Sequence, residues 1–162
     1  MQNFAAQAVI AIENTRLLNE LRQRTTDLSE TLEQQTATSE VLKVISTSPT
    51  DANPVFEAIL ESACRLCDSQ LAAIFRFDGT LLHLAATKNW PAEAVETLAS
   101  RWPMPPDPHY ASGRVVLSKG VVIQEDTLAD ANYDRDAART GGWRRMLGVP
   151  MLRGADIIGG SW

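Results

Sequence analysis

Between Phe4 and Ile45 the apolar positions return at alternating steps of three and four residues. Leu18, Leu21, Leu28, Leu32 and Leu42 fall on one line, and the register runs back through Ala11 and Phe4. That spacing predicts one long amphipathic helix carrying the a and d seam of a coiled coil. Such a helix cannot bury its stripe alone, so the seam predicts a homodimer through a second copy of the same helix. Thr25, Gln35 and Ser39 occupy seam positions where a tight zipper carries Leu or Ile. Polar seam residues lower stability and keep alternative registers close in energy, which suits an element that moves.

The pattern changes at Ser46-Thr47-Ser48-Pro49. The residue before a proline is driven out of the helical region, and Ser and Thr hydroxyls compete for backbone hydrogen bonds. A boundary is expected there, between a helical linker over 1–48 and a domain over 49–162. A second helix is predicted with Asn53 as N-cap and Pro54 at the first helical position. Phe56, Ile59, Leu60, Ala63 and Cys67 form its apolar face. Gln70–Phe77 alternates and places Ala73, Phe75 and Phe77 on one side. Asp78-Gly79 is a hairpin signal, and Thr80–Thr87 returns with Leu82, Leu84 and Ala86 facing one way.

Pro91 opens a third helical stretch with Val95, Leu98 and Trp102 as its stripe, and Pro103, Pro105 and Pro106 end it. The segment PMPPDPHY over 103–110 is irregular. Ser112 or Gly113 opens a short helix that ends at Gly120, where a left-handed residue is unstrained. Val121–Gln124 is a brief strand, and a polar irregular segment runs from Glu125 to Gly142. Arg145–Arg153 reads as a strand in which Pro150 demands an edge or a bulge. Gly154-Ala155-Asp156 turns the chain into a last strand starting at Ile157-Ile158. The order predicts an α+β domain: an antiparallel sheet with flanking helices, preceded by the long amphipathic helix.

Composition narrows the function. A chain of 162 residues, 44% hydrophobic, holds one ordinary domain plus a helix. Fifteen Lys and Arg against 20 Asp and Glu give a net charge of -5, which argues against nucleic acid. The local basic cluster Arg139, Arg144 and Arg145 reads as solvated charge. FAAQAVIAI over 4–12 is broken by Gln7 and followed by Glu13 and Arg16, so neither a signal peptide nor direct membrane insertion is expected. Two cysteines are too few for a disulfide framework and fit a reducing cytoplasm. Cys64-Arg65-Leu66-Cys67 is a CxxC late on an amphipathic helix, where core packing is the expected role and redox chemistry the lesser alternative. His83 and His109 stand apart without a ligand pattern, so no metal and no cofactor are expected. GxSxG, P-loop, HExxH and kinase phosphate-binding motifs are missing, which predicts a non-catalytic segment.

Three pieces in order carry a resemblance: PVFEAILESACRLCDSQLAAIFRFDG, then SGRVVLSKG before VVIQED, then MLGVPMLRGADIIG. The run from Asn53 to Gly159 resembles a GAF domain, the small-molecule sensing module of bacterial signalling proteins. FAAQAVIAIENTRLLNELRQRT resembles the terminal helix of a preceding GAF domain entering a signalling coiled coil, as in tandem-GAF sensor histidine kinases or nucleotide cyclases. The family's usual last strand and closing helix have no counterpart after Trp162, so the resemblance implies a domain truncated at its C-terminus. It implies a pocket between the sheet and the connections that cover it, lined by Phe75, Trp90, Trp102, His109, Tyr110, Tyr133 and Trp143. A haem-binding histidine pattern, a bilin-attaching cysteine and the NKFDE signature of cyclic-nucleotide GAF domains find no match. The implied function is sensory: an unidentified small ligand in that pocket, coupled to the coiled-coil linker of a two-component or related system. A ligand-free dimerisation spacer is the alternative, and a cysteine-dependent redox enzyme the third.

Overall fold

The computed structural model describes residues 2–47 and 51–162, without the side chains at 2–6, 8 and 11. The side chains of seam positions Phe4 and Ala11, and residues Ser48 and Pro49 of the expected boundary, lie outside what it describes. The chain divides into two compact units, Met1–Leu42 and Lys43–Trp162.

Helix α1 spans Gln2–Thr47. Leu18, Leu21, Leu28, Leu32 and Leu42 are each more than half exposed along it. Its polar residues are satisfied locally: Thr25, Thr31 and Thr36 donate to the carbonyls of Leu21, Asp27 and Leu32. Glu13–Arg16 and Glu20–Arg24 pair along its surface.

The second unit is built on a five-stranded sheet, every neighbouring pair antiparallel, in the order β2-β1-β5-β4-β3. The strands are β1 (Ala72–Phe77), β2 (Leu82–Lys88), β3 (Val122–Gln124), β4 (Met146–Arg153) and β5 (Asp156–Ser161). With helices on both sides of it, this is the expected α+β architecture. Helix α2 (Asn53–Cys67) covers one face, where Leu60 packs with Ala72 and Ile74 against Phe56, Ile59, Ala85 and Met151. Asn53 is its first helical residue rather than its cap. The preceding turn is held instead by Asp51, whose carboxylate accepts from the Asn53 amide at 3.0 Å. Cys67, one turn beyond Ala63 at the end of this face, is exposed.

The β1–β2 hairpin forms as the Asp78-Gly79 signal predicts, and Ala73, Phe75 and Phe77 share the face opposite α2. Leu82 and Leu84 join them. Ala86 does not, because a bulge pairs Ile74 with Ala86 but Phe75 with Leu84, so Ala85 is extra and Ala86 crosses to the α2 side.

Helix α3 (Ala92–Leu98), with a following 3-10 turn at Ala99–Arg101, buries Ala94 and Leu98 and leaves Val95 outward. Trp102 lies beyond the helix in extended backbone. Helix α4 (Ala111–Ser118) ends on Lys119, which takes the left-handed conformation expected of Gly120. The segment 125–142 is not wholly irregular: it contains helix α5 (Arg135–Gly141), capped by Asp134, which accepts from the Ala137 amide at 2.9 Å. Strand β3 pairs with β4 only over Met146–Gly148, so Pro150 lies past its end, as a residue without an amide proton requires.

Helix α4 sits on β4 and β5 through missing side chains. A Cβ on Gly148 would fall 2.5 Å from Val115 Cγ2, and one on Gly160 3.0 Å from Val115 Cγ1. On its other side, a Cβ on Gly113 would meet the Asp107 carbonyl oxygen at 1.9 Å.

Candidate functional site

The sheet face opposite α2, roofed by α3, α4 and α5, gathers most of the aromatic residues of the chain. β1 supplies Phe75, fully buried because its neighbours Ile74 and Arg76 take the other face. Phe75 meets Trp102 with ring centroids 5.1 Å apart, and Trp102 meets Tyr110 edge-on at 5.7 Å. Trp90 and Trp143 pack at 5.2 Å, and both contact Trp162. Tyr133 is buried beside them and donates its hydroxyl to Met146 Sδ at 3.0 Å. Burial pushes the Tyr133 phenol up to about 12, so it stays a neutral donor.

Six of the seven residues expected to line a pocket therefore share this core. His109 does not: its ring is more than half exposed and meets Asp107 at 2.6 Å. The core also includes Trp162, which sequence reasoning missed. An aromatic at the end of an alternating strand was the available signal.

Two polar networks rim the aromatic face. Arg101 donates to the Tyr110 hydroxyl at 2.6 Å and to Asp134 at 2.7 Å, and Tyr110 itself donates to Asp134 at 2.7 Å. Burial opposes the charged form of Asp134, but the Ala137 amide, Tyr110 and Arg101 outweigh it and hold the carboxyl below its ordinary range. In the second network Arg114 donates to Gln124, Asp130 and the carbonyls of Pro108 and Asn132, and lies 5.3 Å from the Tyr133 ring centroid. Its hydrogen bonds hold the Asp130 carboxyl low. Arginines and carboxylates saturate one another here, so the assembly positions and encloses.

The open space lies elsewhere. A cavity of about 680 Å³ is lined by Leu60, Ala63 and Cys67 from α2, by Ile123, Leu147 and Val149 from the sheet, and at one end by Trp143, Met146 and Trp162. The basic cluster is paired: Arg139 with Asp136, Arg144 with Asp126, and Arg145 with Glu125. Cys64 is half-buried, its thiol pushed up by burial, and Cys67 is exposed. His83 Nε2 lies 2.6 Å from Asp78 in the hairpin. Among the described residues no group of three or more His, Cys, Asp or Glu is placed to hold a metal ion, and no helix is long and apolar enough to cross a membrane.

Residues 49–160 match the family described as GAF domain. No curated protein sequence matches the chain. Solved structures are similar in fold. The GAF domain of a phosphoenolpyruvate-protein phosphotransferase from Coxiella burnetii aligns with TM-score 0.64 at 13% identity, over 83% of this chain and 76% of that one. A free methionine-R-sulfoxide reductase from Neisseria meningitidis, in complex with its substrate, aligns with TM-score 0.54 at 15% identity, over 77% and 70%. Residues 122 to 287 of a methyl-accepting chemotaxis protein align with TM-score 0.56 at 16% identity, over 77% and 76%.

Proposed function

The chain belongs to the GAF domain family, and from that premise we propose that it is a sensory and dimerisation segment of a bacterial signal-transduction protein, without catalysis of its own. A small ligand bound on the aromatic face of the sheet biases α1 between two arrangements of a parallel dimer. The ligand shifts that balance only by its difference in affinity for the two states. The observation that carries the reading is the seam of α1: five leucines in heptad register, each more than half exposed, on a helix far longer than one chain needs to cover a sheet. The likeness to a segment of a methyl-accepting chemotaxis protein supports the signalling context.

The second reading, a dimerisation spacer without ligand, is favoured by the close contact of the rings on that face, at 4.9 to 5.7 Å. A cysteine-dependent reductase, the chemistry named for the Neisseria protein, is disfavoured by a Cys64 thiol that burial pushes up, away from the reactive thiolate.

Native mass spectrometry of the chain purified from cells tests the reading. A dimer carrying a small mass that is released on denaturation supports the sensor. A dimer without added mass supports the spacer. A monomer at micromolar concentration sinks both.

A further inference from the structure

Helix α2 ends on two thiols. Cys64 and Cys67 stand three residues apart in its last turn, and both are free. Residues at that spacing share one face of a helix, and every Cα–Cβ bond leans toward the N-terminus, so the Cys67 side chain leans back over Cys64. Burial pushes the Cys64 thiol up, Lys88 opposes that rise, and Glu61 and Cys67 add to it, so the two thiols lie within electrostatic reach of each other. Two thiols alone do not make a metal site, and among the described residues no His, Asp or Glu completes one.

The pair is unequal in access. Cys67 is exposed and lines the cavity of about 680 Å³, whereas Cys64 is half-buried. An oxidant therefore meets Cys67 first, and Cys64 is placed to attack second.

Bridging them requires movement. Ideal helix geometry puts Cα atoms three residues apart at about 5 Å, inside the span of a disulfide, but their Cβ atoms at about 5.5 Å, roughly 1 Å too far. Cys67 must leave its helical place to close the bond. It can do so because the helix ends there, and Asp68 follows in left-handed backbone. The end is latched by the Cys64 carbonyl, which accepts from the amides of Asp68 and Ser69. Beyond the latch, Ser69 donates to the Leu71 carbonyl and Asn89 to that of Gln70 before β1 begins.

We propose that Cys64 and Cys67 form a reversible redox switch, which a small-molecule disulfide closes into an intrahelical disulfide that unlatches the end of α2. The Cys67 thiolate attacks one sulfur of the small disulfide. A new S–S bond forms to Cys67, the old one breaks, and one small thiolate leaves with the electron pair. Cys64 then gives its proton to solvent and attacks Cys67 Sγ, releasing the second small thiolate. Two protein thiols are oxidised as one small disulfide is reduced to two thiols. A bond made against the helix geometry is readily reduced, so excess thiol reopens it. The residues that unlatching frees, Asp68 to Ala72, wall the cavity. The switch goes beyond the sensory reading and stands apart from it, since it needs neither a ligand on the aromatic face nor a dimer.

The full chain, equilibrated in glutathione buffers of graded oxidised-to-reduced ratio and quenched in acid, tests it. Mass spectrometry should show a mixed disulfide on Cys67 giving way to a chain lighter by two hydrogens, which runs as a single chain on a denaturing, non-reducing gel. Amide hydrogen exchange at Asp68 and Ser69 should rise about tenfold in the oxidised chain and return on reduction. Cys64→Ser should stop the reaction at the mixed disulfide, and Cys67→Ser should slow the first attack at least about tenfold. Should either variant not fold, the time course of the unaltered chain decides by itself.

The proposal is overturned by a mixed disulfide that accumulates without resolving, by first attack at Cys64, or by a disulfide between two chains. Unchanged exchange at Asp68 and Ser69 in the chain lighter by two hydrogens also overturns it.

Discussion

The ring of Trp143 lies flat over Gly141: a Cβ placed on that glycine would come 1.7 Å from Cζ3 and 2.1 Å from Cε3 of the indole. Hydrogen is the only side chain that position admits while the tryptophan keeps its place in the core. Gly141→Ala should therefore push the ring out of the cluster and cost about 1 to 3 kcal/mol, as overpacking does. Its neighbour makes the control. Gly142 has φ of +75° with open space around a Cβ, so Gly142→Ala costs about 1 kcal/mol of backbone strain alone. Urea unfolding gives both values, and only the first variant should change the native tryptophan emission.

Asp134 links stability to pH. Burial opposes its charge, but hydrogen bonds from Ala137, Tyr110 and Arg101 hold its folded-state value below the ordinary carboxylate range. Its contribution is thus complete above the unfolded value, near about pH 4, and is lost as pH falls through the lowered folded value. Asp134→Asn still caps α5 but removes the charge. It should cost about 1 to 2 kcal/mol at neutral pH and flatten the acid limb of a urea-midpoint profile. A limb as steep as that of the unaltered chain would refute this assignment.

The seam of α1 predicts assembly. Leu21→Ser together with Leu28→Ser should convert a dimer to monomer in sedimentation equilibrium, since each removes an exposed leucine in heptad register. Gln35→Leu with Thr25→Ile acts in the opposite direction and tightens the dimer by about tenfold or more.

The two cysteines should react unequally. Cys67 is exposed, whereas Cys64 is half-buried and its thiol is pushed up by that burial. Mass-resolved labelling with iodoacetamide of the native chain should modify Cys67 first, with Cys64 at least about tenfold slower. Cys67→Ser should leave the unfolding midpoint unchanged, and a large loss would show that the residue packs more closely than its exposure indicates.

The parts of the fold legible in the sequence are those governed by one local rule. Ala73, Phe75 and Phe77 alternate because one face of β1 meets the aromatic core, and Asp78-Gly79 closes the hairpin by turn chemistry alone. Ala86 follows the same alternation on paper yet crosses the sheet, because the extra residue Ala85 is set by how β2 pairs with β1 rather than by its own neighbours. Helix α5 is short and polar, RDAARTG, and its local signals are only its caps, Asp134 before it and the left-handed Gly142 after it. Val95 reads as core only if α3 is longer than it is. Ala94 and Leu98, four apart, are the stripe that a seven-residue helix presents. Around the aromatic face, residue type was legible and partnership was not. Arg101, Tyr110 and Asp134 are far apart in the chain, and nothing near any of them announces the other two.

The glycines under α4 also decide how the helix is held. Val115 drops into notches left by Gly148 and Gly160, so the helix is keyed to β4 and β5 like a tooth in a rack. A keyed helix cannot creep along its sheet by small steps. A side chain at either glycine would meet Val115 and lift α4 away from the middle of the sheet.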